Sequence, residues 1–130
     1  MSALAGYAGL AGFAWLTLFQ LMLAAGLPLG RLAWGGAHRV LPGGLRLASF
    51  GSAVVAALGA VAVSQAASLG PAILPATVLR PLLAALAVIF ALSFVANLFG
   101  ARGAERLHGV PAAALLAVSA GLLAWSPATA

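Results

Sequence analysis

The chain has 130 residues, of which 65% are hydrophobic and 5% charged, and its six Arg and one Glu give a formal net charge of +5. A soluble domain carries about 25% charged residues, so this chain has too little charge to cover a water-facing surface. No basic helix or aromatic-interleaved patch is present to bind nucleic acid, and the lack of cysteine removes disulfide scaffolds, thiol redox chemistry and thiolate metal sites.

A spanning helix needs roughly 20 mostly apolar residues. Four such stretches fit, at about 3–27, 45–69, 78–99 and 111–126, which predicts an all-α four-transmembrane-helix bundle occupying 1–130 as a single integral membrane domain. The first has no Arg or Lys ahead of it and exceeds the 7–15 residues, roughly, of a signal-peptide core, so a retained span is expected, ended by Pro28 and Gly30. The second follows Pro42-Gly43-Gly44 and stops at Gly70-Pro71. The third ends at Phe99 before Gly100. The fourth opens on Pro111, whose missing N–H suits a first-turn position.

The Arg residues orient these spans. Arg31, Arg39 and Arg46 follow the first span, and Arg102 and Arg106 follow the third. Only Arg80 lies between the second and third. The positive-inside rule places loops one and three in the cytoplasm and both termini outside. The usage of Ala, Gly, Leu and Arg without Lys suggests a high-GC bacterial genome, hence the bacterial cytoplasmic membrane.

Small residues let helices approach where lipid supplies no hydrophobic drive. Ser52, Ala56, Ala60, Ser64 and Ser68 recur every four residues in the second span. Gly6, Gly9 and Gly12 recur every three in the first. Ala84, Ala87 and Ala91 share a face of the third, and Ala113, Ala117 and Gly121 share one of the fourth.

Ionisable side chains inside a membrane point to function, and none lies near the centre of a span. That argues against a small proton-coupled exporter, which needs an embedded carboxylate. The third span also lacks the polar break of small fluoride channels. Gln20 and Asn97 are the most demanding intramembrane polar residues, because an amide in hydrocarbon must find partners. Both fall toward the cytoplasmic end, where they are expected to make interhelical hydrogen bonds. His38 and His108 are placed in separate cytoplasmic loops, too few for a metal site, which usually needs three or four ligands. With one carboxylate and no nucleophile–base pair, neither catalysis nor a bound cofactor is expected.

Loop one, from Arg31 to Arg46, mixes Arg and Trp suited to headgroups with turn-forming glycines. Contact with anionic lipid at loops one and three is expected, and docking of a membrane protein partner is the sharper alternative. Glu105 is placed to pair with an Arg of loop one, and Arg80 to snorkel to the outer headgroups. The expected contact surface comprises Trp34, His38, Arg39, Arg46, Glu105 and Arg106. The function expected is a non-enzymatic accessory or interaction subunit. The alternative is a small transporter or channel made by homo-oligomerisation, with Gln20, Asn97 and the serines of spans two and four lining its path.

The Trp34-Gly35-Gly36-x-His38 stretch with Leu41-Pro42-x-x-Leu45-Arg46, followed by Asn97, Glu105-Arg106 and Pro111, resembles a group of small four-helix bacterial integral membrane proteins. The resemblance implies the four-span topology and no particular activity. Gly109 departs from it, since an aromatic residue is expected there.

Overall fold

A computed structural model describes residues 1–127. It contains four long helices, α1 (Ser2–Ala25), α2 (Gly43–Ala66), α3 (Ala76–Phe99) and α4 (Gly103–Trp125), with no strand among the described residues. Each has 23 or 24 residues and is apolar enough to cross a membrane. At 1.5 Å per residue that is roughly 35 Å, enough for about 30 Å of hydrocarbon. The all-α, four-span fold expected from the sequence is the fold observed.

Several boundaries differ from those expected. α1 ends earlier, because Gly26 adopts a left-handed conformation (φ 91°) and the N–H groups of Gly26 and Leu27 return to the carbonyls of Leu23 and Met22. Glycine accepts that conformation without a Cβ penalty. α2 stops at Ala66 rather than Leu69. Ser68 turns left-handed (φ 57°) and Leu69 N–H bonds Ser64 O at 2.8 Å.

The largest difference lies in α4. It begins at Gly103, and Pro111 lies inside it rather than in its first turn. Pro111 forfeits the backbone bond to Leu107, a loss that membrane helices tolerate when neighbours supply packing. Loop three shrinks to a tight turn, and Glu105, Arg106 and His108 become helical residues.

The helices form an open ring. α1 packs along α2 and α4, and α4 packs along α3, whereas α2 and α3 touch sparsely. The main core holds Phe13, Ala56, Val63, Leu83, Leu86, Leu116 and Ala120, all at most 1% exposed. Phe13 meets Phe90 edge-to-face, with centroids 5.4 Å apart, and it lies against Gly59, where any Cβ would collide with its ring. The glycines of α1 serve the same end. Gly6 abuts Ala67, Gly9 abuts Ser119 and Val63, and Gly12 abuts Leu116.

The expected stripe on α2 is only partly a seam. Ala56 is fully buried, but Ser68 lies beyond the helix and is exposed. The buried face runs through Ser49, Ala53, Ala56, Gly59 and Val63 instead. A strict four-residue step advances about 40° per repeat on a 3.6-residue helix, so such a row winds off any one face. Ala91 of α3 is likewise exposed, while Ala84 and Ala87 pack on the core.

Candidate functional site

Loop one folds back over one end of the bundle. Leu41 is 3% exposed and packs with Phe19 and Leu23 of α1, and Gly30 N–H bonds Arg39 O at 2.9 Å to close the loop. Short 3-10 turns cover Gly30–Leu32 and Trp34–Gly36. Trp34 (φ 52°), Gly35 (φ 86°) and Gly36 (φ 69°) are all left-handed. This conformation costs a non-glycine residue about 1–3 kcal/mol. Two bonds hold it in place. Trp34 Nε1–H donates to Ser49 Oγ at 2.9 Å, and Gly35 N–H donates to Glu105 Oε1 at 2.9 Å.

Glu105 ties loop one to α4, but through the backbone N–H of Gly35 rather than the expected Arg. It stands in the first turn of α4, where a carboxylate complements the helix dipole. It is only 7% exposed. Of the six residues expected to form a contact surface, Trp34, His38, Arg39, Arg46 and Arg106 are exposed and Glu105 is buried. Arg46 is also committed structurally, since its Nε–H donates to Ala24 O at 2.8 Å and its guanidinium covers the end of α1.

Beneath this loop, between the poorly joined α2 and α3, lies a cavity of about 860 Å³. Each helix contributes one face at helical spacing, such as Leu16, Phe19 and Gln20 from α1, or Phe90, Ser93 and Asn97 from α3. α4 supplies Glu105, His108 and Gly109, α2 supplies Ser52 and Val55, and Trp34 comes from the loop. Gln20 and Asn97 therefore line one cavity. Gln20 Oε1 and Glu105 Oε2 are out of reach of solvent and have no hydrogen-bond partner among the described residues. The expected interhelical bond of Gln20 is thus missing at its oxygen.

His108, read as a loop residue from the sequence, is part of an aromatic group on the helices. Its ring centroid is 4.6 Å from that of Phe19 and 6.0 Å from that of Trp15. Trp15 Nε1–H donates to His108 Nε2 at 2.9 Å, so that nitrogen acts as an acceptor. The sequence hint was weak: Trp15 and Phe19 share a face of α1, but nothing in one sequence pairs them with a residue 93 positions later. Gly109 lies against Asn97 of α3. A Cβ there would stand 2.8 Å from the Asn97 amide, so an aromatic side chain would displace Asn97 from α4.

At the opposite end, the Gln65 amide organises loop two. Its Oε1 accepts from the N–H groups of Ile73 (2.9 Å) and Leu74 (2.8 Å), and its Nε2–H donates to Leu74 O at 2.7 Å. Arg80, expected at the headgroups, donates to Ser126 O at 2.9 Å beyond the end of α4.

Fold and cavity together define a four-helix bundle of multi-pass membrane type. No protein-family model, curated protein or solved structure matches the chain.

Proposed function

We propose that the protein is a non-enzymatic accessory or interaction subunit of the bacterial cytoplasmic membrane, oriented with both termini outside. Its contact surface is the end of the bundle carrying Trp34, His38, Arg39 and Arg106. The observation that supports this is the ordering of loop one: Gly35–Glu105, Trp34–Ser49 and buried Leu41 hold an exposed, basic, aromatic-bearing surface in one shape. A preorganised surface loses less entropy on binding than a mobile loop does. Anionic headgroups are the accompanying lipid partners, each basic residue contributing about 1 kcal/mol.

A photoreactive phenylalanine at position 38 tests this in cells. The reading expects cross-linking to one defined larger protein, lost in Arg39→Glu, with no such product from position 73 in loop two. A second reading, a homo-oligomeric transporter, draws support from Gln20, Asn97, Ser52 and Ser93 sharing one cavity. In that case position 38 gives self-cross-links only, and Asn97→Leu abolishes solute flux in liposomes.

A further inference from the structure

The cavity beneath loop one has a charge pattern opposite to that of the chain. The protein carries six Arg and a single acid. That acid, Glu105, lines the cavity, and none of the six Arg does. The walls are mostly apolar, with Leu16, Val55, Ile89, Phe90 and Leu116 among them. Of the polar groups, Gln20, Asn97, Glu105 and His108 belong to the ends of α1 and α3 and the start of α4, while Ser52 and Ser93 lie further along α2 and α3. All of these helix ends lie on the loop-one side. The volume falls within the roughly 300–1,000 Å³ of small-molecule sites.

Two acceptors in this wall are unsatisfied. A buried acceptor without a partner costs about 1–3 kcal/mol, and more when it belongs to a charged group. Gln20 Oε1 and Glu105 Oε2 both meet that description. Glu105 is itself only 7% exposed. Each acceptor belongs to a side chain that lines the cavity, and Glu105 keeps its other oxygen on Gly35 N–H.

We infer that this cavity binds a lipophilic amine from the bilayer, with its ammonium head at Glu105 and Gln20 and its apolar body between α2 and α3. The sparse contact between those two helices gives a side route from hydrocarbon, so the ligand need not pass through water. An anionic head is disfavoured because no guanidinium lines the site. A neutral hydroxyl satisfies one acceptor but leaves the carboxylate without a counter-charge, the costlier outcome in a low-dielectric site. Neither feature of the site depends on a protein partner at loop one.

The test uses the full chain in phosphatidylcholine nanodiscs and a diazirine-bearing dodecylamine. Photolabelling is expected at cavity residues such as Ile89 and Ala96, saturable and displaced by dodecylamine. Dodecanol should compete weakly and dodecanoate not at all. Glu105→Gln keeps an acceptor for Gly35 and should weaken labelling by about ten-fold, the loss of one charge-assisted hydrogen bond. Gly51→Phe is the second variant. Gly51 lines the cavity with nothing within 4 Å of its would-be Cβ, so the ring should fill the site while leaving the Glu105–Gly35 bond intact, and labelling should disappear. Equal labelling of the outward residues Val95 and Phe99, competition by dodecanoate matching that of dodecylamine, or unchanged labelling in both variants would overturn the inference.

Discussion

Glu105 Oε1 accepts a hydrogen bond from Gly35 N–H across 70 residues of sequence, and this bond fastens loop one to the first turn of α4. It recruits the chain's one carboxylate to hold a backbone that is left-handed at three successive residues. Replacing Glu105 with Ala should release Trp34–Gly36, with a loss of about 1–2 kcal/mol. The check is amide hydrogen exchange, which should accelerate at Gly35 in Glu105→Ala and much less in Glu105→Gln.

Trp34 and Ser49 form the second fastening, and Ser49 is fully buried. Trp34→Phe leaves that hydroxyl without its indole donor. A double-mutant cycle of Trp34→Phe with Ser49→Ala should return a coupling of about 1 kcal/mol, read from unfolding in a denaturing detergent. Additive effects would mean that the bond contributes nothing.

Phe13 occupies the space that Gly59 leaves open. Gly59→Val should force the ring away from Phe90 and destabilise the α1–α2 contact by about 1–3 kcal/mol, as overpacking does. The same substitution at Gly51, which faces no atom within 4 Å, should be nearly neutral. Comparing the two by detergent unfolding separates steric packing from helix propensity.

Gln65 makes three hydrogen bonds to loop two. Gln65→Leu should leave the bundle folded while opening residues 70–75 to proteolysis and rapid exchange. An unchanged cleavage rate there would show that the loop is ordered by other contacts.

The fold was legible because four apolar stretches, each long enough to span, leave a short chain few alternatives. The span ends were less so. Gly26 ends α1 through its own left-handed turn, a signal present in the sequence but overshadowed by Pro28. Pro111 misled, because proline is common both in the first turn and inside membrane helices, and only the packing of Glu105 and His108 shows which applies. Gln20 and Asn97 were recognisable as costly amides near one membrane face. Their common cavity was not, because it arises from the sparse α2–α3 contact, and no local pattern encodes which pair of helices stays apart. Glu105 was expected on the contact surface, paired with an Arg of loop one, for the same reason: its burial depends on loop one folding back over α4.

Orientation is the claim on which the contact surface rests. Because the chain has no cysteine, single substitutions give a clean topology probe. In intact cells, Ile73→Cys in loop two should react with a membrane-impermeant maleimide. His38→Cys in loop one should react only after the membrane is permeabilised. Labelling of His38→Cys in intact cells, with Ile73→Cys protected, would contradict the account.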